Sequence, residues 1–339
     1  MSWTKMRTCG IVLITIAMLS GCGSDQDTER TFEPFSGDRW IGNAISYGPH
    51  RDGQRPGGPS PSVDQIREDL HLMISHWNLM RIYGSTGVAE TILTVIQADS
   101  LDMKVMLGVW IDVEEKAGHN GSIEQFPEAV TANKLEVAAA IRLANTYPDI
   151  VIAISVGNET QVSWSAHRSP LPILIDHLRT VRDGVSVPVT VADDFNFWNK
   201  PESVVLDGEV DFITMHAHPM WNGLQLDDAL PWVVDQLEVV QSMHPDQTLI
   251  LGETGWATSV HDEGEQSRLI KGEPGEDQQK VYHDRVRSWA EVRRFTVFFF
   301  EAFDENWKGG SHPNEVEKHW GLFRADRSSK QALGQSKGP

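Results

Sequence analysis

From about residue 39 to the C-terminus, short apolar runs alternate with longer amphipathic stretches. The runs fall at 41–47, 79–83, 105–111, 150–156, 187–191, 212–216, 248–251 and 296–300. Several are continuous in Val, Ile and Phe, with no apolar–polar alternation, as in strands buried on both faces. Between them, helices are predicted over 62–76, 87–99, 127–146, 170–184, 227–244 and 276–293. The first has a built-in start: Ser62 follows Pro61 and precedes Gln65 by three positions, a capping-box pattern.

Strand and helix in alternation predict a parallel sheet, and eight strands predict an α/β fold of the (β/α)8 TIM-barrel type. The 339 residues suit one such catalytic domain, placed at 38–332, since a barrel takes about 250 residues and absorbs insertions. An open, doubly wound sheet is the alternative fold. No G-x-G-x-x-G follows the first run, so nothing marks a dinucleotide site.

Charge narrows the partners. A formal net charge of −19 speaks against binding nucleic acid or an anionic membrane through basic patches, and suits a neutral or cationic substrate. Both cysteines, Cys9 and Cys22, precede the barrel, so its body has no disulfide, thiolate metal site or catalytic cysteine. Lys5 and Arg7 followed by the apolar run 11–19 form an export signal too short to span a bilayer. Leu19-Ser20-Gly21-Cys22 is similar to a bacterial lipobox, which implies cleavage before Cys22 and lipidation of that cysteine. An ordinary signal peptide is the alternative. The expectation is therefore a signal over 1–22 and a flexible tether over 23–37. Gly23, where inner-membrane retention would call for aspartate, points to an outer-membrane or surface lipoprotein of a Gram-negative bacterium. Its only membrane contact would be the lipid.

In a barrel the chemistry sits where the strands end. The fourth predicted strand ends in Gly157-Asn158-Glu159 and the seventh in Gly252-Glu253-Thr254-Gly255-Trp256. The two glutamates are 253 − 159 = 94 residues apart, about three βα units, so both can face the barrel mouth. Cleaving a glycosidic bond needs such a pair: an acid for the leaving oxygen, and a carboxylate that attacks the anomeric carbon or activates water. Tryptophans near the strand ends, Trp221, Trp256 and Trp307, offer flat faces for sugar rings, although each also suits the core. His216 and His218 admit two readings, metal ligation or buried hydrogen bonding; an H-x-H pair with no evident third ligand favours the second, and no metal or cofactor is expected. No G-x-S-x-G is present for a serine hydrolase.

Four motifs in order resemble glycoside hydrolase family 17, a family of β-1,3-glucanases: Met80-Arg81-Ile82-Tyr83-Gly84, Val156-Gly157-Asn158-Glu159, Gly252-Glu253-Thr254-Gly255-Trp256 and Phe303-Asp304-Glu305-Asn306-Trp307-Lys308. The similarity spans about 39–323. Ile45-Ser46-Tyr47-Gly48-Pro49, Ala192-Asp193 and His319-Trp320-Gly321-Leu322-Phe323 resemble bacterial members, including domains fused to β-glucan synthases. His218 departs from the pattern, standing where plant members usually carry tyrosine.

The resemblance implies retention of configuration, with Glu253 as nucleophile, Glu159 as acid and base, and a β-glucan as substrate. Arg81 is then a partner that keeps Glu253 ionised, and Asn158 a ligand of the sugar 2-hydroxyl. Tyr47, Tyr83, Asp193, His218, Trp221, Trp256, Glu305 and Lys308 become further substrate contacts. Three functions follow: a β-1,3-glucanase acting on laminarin-type glucan, a transglycosylase that elongates, branches or cyclises it, or a non-catalytic glucan-binding lipoprotein. Loops 48–61 and 260–275 would decide between endo and exo action.

Overall fold

The computed structural model describes Met1, residues 30–118 and residues 121–334; the export segment and Cys22 lie outside the described residues. Eight parallel strands close into a barrel: β1 (Asn43–Ser46), β2 (Leu79–Ile82), β3 (Lys104–Val109), β4 (Val151–Asn158), β5 (Val189–Asp194), β6 (Ile213–His216), β7 (Leu249–Thr254) and β8 (Val297–Phe299). Each pairs with its neighbours in chain order, and β8 pairs with β1 through Val297–Asn43 to Phe299–Ile45. The closed (β/α)8 barrel read from the sequence is the fold observed.

Six long helices wrap it: α1 (Val63–Met73), α2 (Ala89–Ala98), α3 (Pro127–Thr146), α4 (Leu171–Gly184), α5 (Leu226–Met243) and α6 (Glu276–Arg293). Helix α1 starts at the expected capping box, with Ser62 Oγ accepting from Gln65 N and the Gln65 side chain accepting from Ser62 N. After β5 the chain makes only one helical turn, Phe195–Trp198, and a 3-10 turn, Pro201–Leu206. Pro201 disfavours a helical conformation at Lys200 and cannot donate back, which keeps the two turns from merging. A short hairpin, Glu115–Ala117 with Ile123–Gln125, rises between β3 and α3.

Alternate residues of each strand point into the barrel, so its filling can be read upward. At the bottom lie Ala44, Leu79, Met106, Ala153, Phe212, Ile250 and Phe298, a packed apolar plug. Two residues further along the same strands come Ser46, Arg81, Thr214 and Gly252. The interior thus turns from apolar to polar toward the C-terminal ends of the strands, and β2 carries a guanidinium directly above a leucine. Residues 30–37, expected as the end of a tether, are packed on the barrel instead. Phe32 stacks on Phe212 with ring centroids 4.6 Å apart, and Arg30 donates to the carbonyls of Arg182 and Val185. Burial of an aromatic ring at the open bottom of the barrel explains the difference.

Candidate active site

The two glutamates reach the mouth because their strands lose regular register there. Pairing between β4 and β5 shifts between Ser155 and Asn158, with Gly157 at φ +78° and Glu159 at φ +49°. A non-glycine residue in this region costs roughly 1–2 kcal/mol. It is held by the Glu159 amide, which donates to the Ala192 carbonyl at 2.9 Å. On the other side, the register shift between β6 and β7 sets His216 opposite Glu253. Glycine before Glu253 is obligatory: a Cβ on Gly252 would lie 2.2 Å from Thr214 Cγ2 and 3.1 Å from His216 Cδ2. Irregularities of this kind re-aim side chains at strand ends.

Glu253 is buried and surrounded by donors. Its Oε1 accepts from Arg81 Nη1 at 2.8 Å and from the Tyr83 hydroxyl at 2.9 Å, and its Oε2 lies 3.2 Å from His218 Nε2. Burial alone would raise the pKa of this carboxyl. His216 beside it, the hydrogen bond from His218 and the charge of Arg81 outweigh it and hold the group well below the ordinary carboxylate range. Tyr83 moves oppositely: burial and the Glu253 charge push its hydroxyl well above its usual value, so it stays a donor.

His216, fully buried, links the two glutamates. Arg81 Nη1 faces His216 Nε2 at 3.1 Å, while His216 Nδ1 lies 3.2 Å from Glu159 Oε1. A guanidinium has only donors, so Nε2 accepts and the ring carries its proton on Nδ1, directed at Glu159. Carboxylate oxygens of Glu159 and Glu253 and a nitrogen of His216 all lie within 4.8 Å of one another. That triad has the composition of a metal site, but Arg81 already donates to both Glu253 and His216 from within it. The arrangement is better suited to two carboxylates working on the two ends of one substrate bond.

Around the pair opens a cleft of about 1280 Å³, lined among others by Tyr47, Tyr83, Asn158, His218, Trp221 and Glu305. Asn158 Oδ1 accepts from Arg81 Nη2 at 2.5 Å, which leaves its amide hydrogens for the cleft. At the β8 side, Lys308 sits between two carboxylates, 2.5 Å from Glu301 Oε2 and 2.9 Å from Glu305 Oε2. Burial would raise Glu305, but Lys308, with hydrogen bonds from neighbours, brings it down to about 2. Burial wins at Glu301, which rises well above the usual range despite Lys308. Trp221 is oriented by its indole Nε1, which donates to Glu317 Oε1 at 3.1 Å.

This geometry is a carboxylate pair with unequal surroundings in a polar and aromatic cleft at a barrel mouth. The family model for the BtgE/BtgC glycoside hydrolase domain matches residues 44–321, from β1 to beyond β8. The chain belongs to that family. It is 26% identical to a glucan 1,3-beta-glucosidase of Arthroderma benhamiae over 292 residues, covering 82% of this chain and 86% of that one. An endo-laminarinase from Formosa Hel1_33_131 superposes with a TM-score of 0.73 at 26% identity, covering 87% of each chain. The fold is also that of a family 17 β-1,3-glucanosyltransferase from Rhizomucor miehei, with a TM-score of 0.65 at 24% identity and coverage of 86% and 96%.

Against the residues expected from the sequence of this glycoside hydrolase, Glu159, Glu253, Tyr83, Asn158, His218, Trp221 and Glu305 meet in the cleft. Tyr47 also lines it, but its hydroxyl is directed to Asp69 Oδ2 at 3.1 Å. Lys308 lines it with its charge engaged by Glu301 and Glu305. Arg81 does not face the cleft; it is 1% exposed and lies beneath Glu253. Two residues are not surface contacts at all. Trp256 is buried against Tyr282 and donates to the Glu273 carbonyl, because the chain turns it away from the mouth just after Glu253. Asp193 is fully buried and accepts from the Gln161 and Asp194 amides, which fastens the loop that follows Glu159. Asp194 faces the cleft in its place, raised to about 6 by burial and the nearby Glu159 charge. Trp110, Trp164, Glu317 and Trp320 also line the cleft. Trp164 and Trp320 lie in loops and Glu317 in a short 3-10 turn, Val316–Lys318, where no strand period assigns a direction to a side chain, while Trp110 stands one residue past the end of β3.

Proposed function

We propose that this glycoside hydrolase cleaves β-1,3-glucan of the laminarin type by a retaining double displacement. The observation that carries the reading is the approach of Glu159 and Glu253 to within 4.8 Å, with Arg81 and Tyr83 fixed on one side of Glu253. Retaining pairs stand about 5–5.5 Å apart, whereas inverting pairs need about 6.5–9.5 Å to admit a water. Glu253, ionised and held by Arg81, attacks the anomeric carbon, and the bond to the leaving oxygen breaks as Glu159 gives that oxygen a proton. Glu159 then takes a proton from water, whose oxygen displaces Glu253. His216 Nδ1–H stays directed at Glu159 and offers it a hydrogen bond once it is anionic. Asn158 presents its amide to the sugar hydroxyl next to the reacting carbon. The β-1,3 linkage rests on what the relatives act on by name: a glucan 1,3-beta-glucosidase and an endo-laminarinase.

The test is a time course of the purified, lipid-free protein on defined β-1,3-gluco-oligosaccharides with product lengths resolved. Shorter products with retained configuration support the reading. Products longer than the substrate make the enzyme a transglycosylase, which sends the same glycosyl-enzyme to a sugar acceptor. Absence of any turnover removes the β-1,3 assignment and leaves glucan binding without catalysis to be tested.

We further propose that the chain is exported and anchored by lipid on Cys22, with the barrel outside the inner membrane. Lys5, Arg7, the apolar run 11–19 and Leu19-Ser20-Gly21-Cys22 support this. Among the described residues no helix is long and apolar enough to cross a membrane. Mass spectrometry of the membrane fraction tests it: an unmodified Cys22 in the mature chain overturns the anchor.

A further inference from the structure

Among the described residues, two tryptophans are exposed, Trp164 at 59% and Trp307 at 39%, and both line the catalytic cleft. Trp164 follows β4 and Trp307 follows β8, and in the closed barrel three strands separate β4 from β8 in either direction. The two indoles therefore belong to loops leaving opposite sides of the mouth, and they line the same cleft as the carboxylate pair. Leu135, 61% exposed, lines the same cleft as Trp164, and Trp307 packs against the His50 ring at 5.8 Å with Lys308 Nζ 5.8 Å from its own ring.

Leaving two indoles in water has a cost in hydration, and an exposed apolar surface continuous with a binding cleft marks a binding face. The flat faces of pyranose rings present C–H groups that complement an aromatic surface, while the floor between the indoles offers Asn158, Glu305 and other polar groups for hydroxyls. The cleft volume of about 1280 Å³ exceeds the range of roughly 300–1,000 Å³ for a single small ligand. We propose that Trp164 and Trp307 are sugar-binding platforms at the two rims, holding one β-glucan chain across the mouth so that internal bonds are cut. This rests on the glucan reading above and adds the mode of action and the two residues that set it. A pocket for chain ends needs one closed side; here an aromatic platform continues outward on each.

The experiment measures kcat/KM of the wild type and of Trp164→Ala, Trp307→Ala, Trp164→Phe and Trp307→Phe on β-1,3-gluco-oligosaccharides of increasing length, with viscosity and reducing ends followed on the polymer. Thermal melts report whether each variant is folded. The wild type should gain kcat/KM with length and lower the viscosity ahead of reducing-end release. Each alanine variant should lose roughly two- to tenfold of that gain, on opposite sides of the cleavage point, and each phenylalanine variant should recover most of it. Wild-type length dependence in both folded alanine variants overturns the platforms. Release of one sugar at a time from chain ends overturns internal cleavage while leaving a β-1,3-glucanase. Failure of the wild type on every β-1,3-glucan removes the substrate reading and this inference with it.

Discussion

Arg81 Nη1 lies 2.8 Å from Glu253 Oε1 in a site where the guanidinium is 1% exposed. A buried charge of this kind is tolerated only when it is paired, and here the pairing keeps Glu253 anionic. Glu253 has its folded pKa depressed, so its contribution to stability is present above its unfolded value of about 4.3 and is lost as pH falls toward the folded one.

Arg81→Met should therefore move the acid limb of the kcat/KM profile to higher pH, because burial then acts on Glu253 without the permanent cation. Activity at the optimum should fall by at least about a hundredfold, the scale of losing one preorganised electrostatic partner. A pH–rate profile from pH 3 to 8 checks both. An unmoved acid limb would show that His218 and Tyr83 suffice.

Glu159→Ala should separate the two chemical steps. On glucan, the loss of the proton donor should lower kcat by about 10²–10⁴. On an aryl β-glycoside of the same glucan unit with a dinitrophenol leaving group, the first step needs no acid and glycosyl-enzyme should accumulate as a burst. Equal losses on both substrates would assign Glu159 another role. Glu253→Ala should be inactive on both.

The barrel was legible in the chain because several of its strands are continuous Val, Ile and Phe runs, and two of its helices begin at strong signals. Helix α1 opens on the capping box of Ser62 and Gln65, and α3 on Pro127. The glutamates were legible because glycine precedes Glu253, and Gly157 and Asn158 lead into Glu159, at strand ends. What failed was direction within a few residues of those ends. Asp193 and Asp194 are adjacent, yet only the second faces the cleft. Trp221 and Trp256 each closely follow a strand, yet one lines the cleft and the other packs on Tyr282. Register shifts at β4–β5 and β6–β7 break the two-residue alternation there, and strand period no longer says where a side chain points. Trp164 lies in a loop and Glu317 in a short 3-10 turn, and both are placed only by the tertiary fold.

His218 stands 3.2 Å from Glu253 Oε2, and its pKa is raised. Burial alone would lower it; the hydrogen bond and charge of Glu253, with Glu159 and Glu317 nearby, reverse the sign. A raised folded pKa contributes stability that is fully present below the unfolded value of about 6.5 and is lost as pH rises through the folded one. His218→Gln keeps an amide donor for Glu253 but removes the titration. The Tm difference between wild type and variant should be largest near pH 6 and shrink toward pH 9. A difference independent of pH would mean that His218 is neutral throughout.

Trp256 provides the opposite test, of a residue that the sequence offers as a sugar platform and the fold buries. Its ring is 1% exposed, and Nε1 donates to the Glu273 carbonyl at 2.9 Å, tying the residues after β7 to the start of α6. Trp256→Phe removes that donor and with it the hydrogen bond to Glu273, a loss of roughly 0.5–1.5 kcal/mol. Gly272 tightens the site further, since a Cβ there would lie 2.6 Å from the indole, so a smaller ring leaves a gap that the backbone must close. Tm should therefore fall. The gain in kcat/KM with oligosaccharide length should stay as in the wild type, in contrast with the alanine variants of Trp164 and Trp307. Loss of length dependence in folded Trp256→Phe would place this indole back among the sugar contacts.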